Sequence, residues 1–175
     1  IKRGDYMDNI YSIIGQLPNE LKSCFMAFDN VLLSNITEIR FRINKPIIIY
    51  ILDKPYFISK YDKLINHYTD SVRYLSGEEF KFILDNICNN SYHTHINTMI
   101  NGYVTDNYGS RVGIAGEAVY KDSALTSVKN IESLNIRISH NIIDCSRNIL
   151  NTLYLKSSPS LIELPIIGTI EFIAN

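Results

Sequence analysis

No two cysteines lie at a spacing that a metal site or a redox pair would use. Cys24, Cys88 and Cys145 are odd in number and far apart, which excludes a zinc ribbon and a dithiol motif. They are expected to be reduced, buried thiols of an intracellular protein. Long apolar runs are missing as well. The longest, Pro46 to Leu52, falls far short of the roughly 20 residues a helix needs to cross a bilayer. The charged start Ile1-Lys2-Arg3 leads into an amphipathic segment, so no signal peptide is read. The chain is expected to be soluble, or at most peripheral to a membrane, with no direct span. Excess charge of one sign is absent too: a formal net charge of −1 gives no global attraction for nucleic acid or an anionic surface. Neither an internal repeat nor a low-complexity linker is found.

What the chain does have is the composition of a folded domain. Its 175 residues are 46% hydrophobic and 20% charged, enough to bury a core. Ile10, Ile13 and Ile14, then Leu21, Phe25 and Phe28, recur at helical spacing. Pro18 divides them into two short helices. From Thr37 the period changes to two. Glu38, Arg40 and Arg42 alternate with Ile39, Phe41 and Ile43, as in a strand with one wet and one buried face. Turns at Asn44-Lys45-Pro46 and Asp53-Lys54-Pro55 bracket a strand over Ile47–Leu52, and Tyr56–Ile58 follows. Ser76 with Glu79 forms a capping-box pattern ahead of Phe80, Ile83, Leu84 and Ile87. Ser91–Ile100 reads as a further helix, closed by Asn101-Gly102. A second β region then runs from Tyr103 to about Ser139, its first strand turned back at Asn107-Tyr108-Gly109, with a further turn at Tyr120–Ser123. Its further strands are Arg111–Val119, Leu125–Val128 and Leu134–Ile138, and a helix over Ile142–Leu153 follows. The pattern is α+β: N-terminal helices, a mostly antiparallel sheet in two β regions separated by helices, then a C-terminal helix and a short β-rich tail.

One stretch stands out. Gly102-Tyr-Val-Thr105 followed by Gly109-Ser-Arg-Val-Gly-Ile-Ala-Gly116 crowds glycines around one arginine within strands. Gly102, Gly109, Gly113 and Gly116 therefore imply a bulge, a tight hairpin or close approach of another backbone. Glu38-Ile-Arg-Phe-Arg42, Lys45-Pro46, Ser91-Tyr92, the glycine-rich stretch and Ser133-Leu-Asn-Ile-Arg-Ile138 occur in one order. In that order the chain, from about Leu17 to Leu155, resembles the stage III sporulation protein AA family of endospore-forming bacteria.

The resemblance implies an N-terminal α+β domain over residues 1–156. In the family this domain precedes a RecA-like motor similar to the hexameric ATPases of secretion and pilus systems, and the ATPase serves the channel between mother cell and forespore. The motor would need ATP and Mg²⁺, held by a Walker loop whose lysine reaches the terminal phosphates. Residues 157–175 hold Leu161-Ile-Glu-Leu-Pro-Ile-Ile-Gly-Thr-Ile170 instead, with Gly168 and Thr169 in the expected places and no lysine between them. This is either a degenerate motor start or a terminal β-rich tail. Both deny this chain a catalytic residue and a cofactor of its own.

The resemblance also implies a polar seam facing a motor domain or a like subunit, with Glu38, Arg40, Arg42, Arg111, Asn135 and Arg137 as its candidates. Membrane proteins of the sporulation channel are the other expected partners, and the expected location is cytoplasmic or peripheral at the mother-cell face of the forespore membrane. The competing expectation is a fragment or damaged form of a hexameric P-loop ATPase that, when intact, hydrolyses ATP. His93-Thr-His95 is not expected to bind metal, since residues two apart do not face each other on a helix. No nucleophile motif is recognised, and the 12 tyrosines do not alternate with basic residues as a nucleic-acid platform would.

Overall fold

The computed structural model describes residues 5–106, 108 and 110–138. Three helices come first: α1 (Asp5–Gly15), α2 (Asn19–Met26) and α3 (Asn30–Ser34). Pro18 sits at the α2 N-cap, where no intrahelical N–H is required. Asp29 caps α3 by accepting from the Leu32 N–H. The α3 turn was not legible, because its five residues are too few to display a period.

Strands β1 (Ile36–Arg42), β2 (Ile48–Ile51), β3 (Lys54–Ile58) and β4 (Leu64–Ile65) form an antiparallel meander. The β2–β3 turn lies at Leu52-Asp53, one residue earlier than Asp53-Lys54-Pro55. Both residues have positive φ, 48° and 63°, which a leucine rarely adopts and which the sequence therefore hides. Helix α4 (Gly77–Ile87) begins in a complete capping box: Ser76 Oγ accepts from the Glu79 N–H, and Glu79 Oε2 accepts from the Ser76 N–H. The single helix expected over Ser91–Ile100 is instead a 3-10 turn (Tyr92–His95) followed by α5 (Ile96–Met99). Thr94 and Thr98 hydroxyls bond back to Ser91 and His95 carbonyls, a local alternative that competes with a continuous helix.

The second β region comprises β5 (Tyr103–Thr105), β6 (Arg111–Lys121) and β7 (Ala124–Arg137). Where two strands, Leu125–Val128 and Leu134–Ile138, were expected, one strand stands, because β6 partners it on both sides of a bulge at 130–132. The tight turn is Asp122-Ser123, both at positive φ, not the longer Tyr120–Ser123. The two β regions are not separate sheets. They join through β1–β7 pairing into one seven-stranded antiparallel sheet, ordered β4-β3-β2-β1-β7-β6-β5.

The core explains this closure. Ile39 and Phe41 of β1, Ile49 of β2, Val112 of β6, and Leu134 and Ile136 of β7 are all buried. They belong to one cluster with Ile10, Ile13, Leu21, Phe25, Phe80, Ile83 and Ile87 of the helices. Each fully buried large side chain contributes about 1.5–3 kcal/mol relative to exposure. The result is a two-layer α+β domain with helices on one sheet face, all within the compact unit Ile1–Ile138. Among the described residues no helix is long and apolar enough to cross a membrane. The helix expected over Ile142–Leu153, the 156/157 boundary and the tail lie outside the described residues.

Candidate functional site

The strand register builds a polar surface on the sheet face turned away from the helices. Glu38 of β1 stands opposite Arg137 of β7, Arg40 opposite Asn135, and Arg42 opposite Ser133. On the far side of β7, Asn135 faces Gly113 and Ile136 faces Val112, so Arg111 falls on the same face as Arg137. All six expected seam residues, from β1, β7 and β6, therefore share one face of neighbouring strands.

The charges on this face are unequal. Glu38, whose side chain is only 12% exposed, receives Arg40 Nε and lies 3.5 Å from Arg137 Nε. Arg40 also stacks its guanidinium 4.6 Å from the Tyr50 ring centroid, and Arg111 lies 5.0 Å from that of Tyr103. Glu38 thus stands between two guanidiniums, with Arg42 and Arg111 further along the same face. The Arg137 side chain stays 80% exposed, so its pair with Glu38 is weakly held. Asn135 Oδ1 is shielded from solvent and has no hydrogen-bond partner among the described residues.

The glycines shape the edge of this surface. Gly102 takes φ +80°, donates to the Met99 carbonyl and accepts from the Ile114 N–H, turning α5 into β5. Gly116 lies at a bulge. Between the Ala115–Ser133 and Glu117–Lys129 pairs, β7 carries extra residues, and Asn130 there has φ 46°. A Cβ on Gly116 would sit 2.6 Å from the Lys129 carbonyl oxygen and 2.9 Å from Ile131 Cα. Beside it, a recess of about 460 Å³ is lined by Arg42, Lys45, Glu117 and Glu132. Gly109 lies outside the described residues, as do Gly168 and Thr169.

Sequence reasoning missed two polar organisers. Asp106 is buried, and its Oδ1 accepts from the Tyr108 and Ser110 N–H groups, which holds the β5–β6 turn. Arg73 lines a 970 Å³ open cleft and reaches Glu79 at 2.7 Å, Glu20 at 3.2 Å and Asp62 at 3.7 Å. It ties α2, the β3–β4 turn and α4 together. Burial by itself would push Glu79 upward, but the Ser76 backbone N–H, Arg73 and the Ser76 hydroxyl outweigh it and hold the carboxyl below its usual range. Only the capping pattern at Ser76 and Glu79 pointed toward this cleft. Nothing in sequence links Arg73 to Glu20, 53 positions away.

Neither described cysteine is poised as a nucleophile. Burial, reinforced by the Asp62 carboxylate, pushes the Cys24 thiol up to about 12, and burial with Asp85 pushes Cys88 up to about 11. His93 and His95 lie in the 3-10 turn, and among the described residues no group of three metal-ligating side chains converges. What the described residues offer is a cationic, aromatic-backed face.

The family model for sporulation stage III, protein AA, matches residues 8–170. This chain belongs to the stage III sporulation protein AA family. Stage III sporulation protein AA of Bacillus subtilis (strain 168) is 28% identical over 141 residues, covering 81% of this chain. The chain spans 42% of the length of that relative. No solved structure matches this chain. The family match takes in every strand of the polar face, and its last residues include Gly168 and Thr169.

Proposed function

We propose that this chain is the docking domain of a stage III sporulation protein AA-type assembly. Its polar sheet face seats against an acidic surface of a like subunit or of an ATPase motor domain, and no nucleotide is needed. The carrying observation is the charge on that face: Arg40, Arg42, Arg111 and Arg137 line up on neighbouring strands, with Glu38 between Arg40 and Arg137, in a chain whose net charge is −1. Guanidiniums suit this work because they are weakly hydrated, planar and able to grip carboxylates in pairs. Tyr50 and Tyr103 behind them limit the side-chain entropy lost on docking. In this reading the protein works in the cytoplasm, at the mother-cell face of the forespore membrane, beside membrane proteins of the sporulation channel.

A second reading is favoured by the relative's greater length: the whole protein hydrolyses ATP as a hexamer, and this chain is its non-catalytic part. Titrating ATP·Mg²⁺ into the purified chain separates the two for this chain. The docking reading expects no binding heat up to millimolar nucleotide. Saturable binding abolished by Thr169→Ala would place nucleotide in the chain itself and overturn the reading.

A further inference from the structure

Beyond the sheet body, β6 and β7 continue as a two-stranded arm. β5 pairs with β6 only over Arg111–Gly113, and β1 pairs with β7 only over Ser133–Arg137. From Glu117 to Lys121, β6 pairs with β7 alone, over Lys129 to Ala124. No residue of this arm is buried, and Tyr120 at its end is 66% exposed. An isolated two-stranded ribbon is marginal in water, and its outer edges offer unpaired N–H and C=O groups to another strand.

The two edges are not equivalent. On β7 the positive-φ Asn130 interrupts the line of the strand. On β6 the outer edge past Ile114 has no strand partner among the described residues, and it contains no proline. Its sequence is self-complementary in charge. If two copies of Glu117-Ala-Val-Tyr-Lys121 pair antiparallel about a two-fold axis at Val119, each Glu117 falls opposite the other copy's Lys121. Val119 then meets Val119, and each Tyr120 meets the small Ala118. An isologous contact of this kind closes on itself as a dimer. A two-fold at Val128 on β7 would instead set Lys129 against Ser127, with no charge match.

We infer that the β6 edge of the arm is a self-association surface, and that its partner is the same edge of a second copy of this chain. This deepens the docking reading and rests on it by naming one partner, a like subunit. The Gly116 bulge gives the arm its direction, since bulges bend a ribbon and increase its twist. Pairing of this size belongs to the transient class, so the dimer is concentration-dependent.

The test is sedimentation of the full chain, as wild type and as Glu117→Lys and Lys121→Glu variants. Both positions are exposed, and the contacts of Glu117 with Lys129, at 3.6 Å, and with the Asn130 amide are surface contacts of the arm, so each variant should melt close to wild type. Wild type is expected to pass from monomer to dimer with concentration. Each variant alone places like charges opposite each other twice, and its association should weaken roughly tenfold or more. An equimolar mixture of the two restores both opposite-charge pairs and should recover the dimer. A wild type that stays monomeric up to about 1 mM, a dimer that survives in either variant alone, or a mixture that fails to re-associate would each overturn the assignment. These variants leave Arg40, Arg42, Arg111 and Arg137 unchanged, so a failure here is distinguishable from a failure of the polar-face reading.

Discussion

Gly113 and Gly116 lie on the same strand, yet alanine at the two positions should behave in opposite ways. A Cβ at Gly113 would approach Asn135 Cβ at 3.6 Å, an ordinary van der Waals contact. A Cβ at Gly116 would meet the Lys129 carbonyl oxygen at 2.6 Å, Ile131 Cα at 2.9 Å and the Asn130 carbonyl oxygen at 3.0 Å. All three atoms are backbone, so no side chain can swing aside, and the bulge itself must open. Forced overpacking of this kind costs about 1–3 kcal/mol. Gly113→Ala instead removes unfolded-state freedom and should be neutral, or stabilising by up to about 1 kcal/mol. For a chain of this size each kcal/mol moves the melting temperature by about 2–4 °C. Gly116→Ala should therefore melt about 2–12 °C below wild type, with faster amide exchange in the arm beyond the bulge. The assay is thermal denaturation alongside hydrogen exchange. Equal melting and equal arm protection in the two variants would refute the close-approach argument.

Three further outcomes follow from the polar organisers and the thiols. Glu79 has a depressed pKa in the folded state, so the stability it contributes is present above the ordinary value of 4.5 and is lost as pH falls through the folded value. Melting scans should show this acid-side loss, and Arg73→Met should lower stability by about 1–3 kcal/mol near neutral pH while flattening the acid slope. Ser76→Ala removes the α4 cap and should cost about 0.5–2 kcal/mol in urea denaturation. Cys24 and Cys88, raised by burial, should resist alkylation at pH 8 in the native chain and react once it unfolds, as read by peptide mass spectrometry; labelling at native rates would contradict their burial.

The elements with long, clean periods were legible in sequence. Alternation from Glu38 to Ile43, the capping box at Ser76 and the apolar face of α4 each carry their own signal over several residues. So did the placement of the seam residues, because alternation on β1 and β7 puts Glu38, Arg40, Arg42, Asn135 and Arg137 on polar faces before any pairing is known. What was hidden depends on distant partners. The join between β1 and β7 is made nearly a hundred positions apart in sequence and leaves no local mark. β7 continues past the bulge at Asn130 because β6 pairs with it on both sides, although the sequence showed strands only to Val128 and again from Leu134. Arg73 and Asp106 look like ordinary surface residues until the elements that surround them are assembled.

The central claim concerns the arginine face, and association is its most direct measurement. The chain, immobilised, would be presented with full-length stage III sporulation protein AA of Bacillus subtilis at low and at high salt. Docking through the face predicts binding that weakens as salt rises. The double variant Arg42→Glu with Arg137→Glu should lose most of that binding while melting only slightly below wild type, since both side chains are exposed and only position 137 sets a carboxylate beside Glu38. Binding that is indifferent to salt and to both reversals would contradict the account.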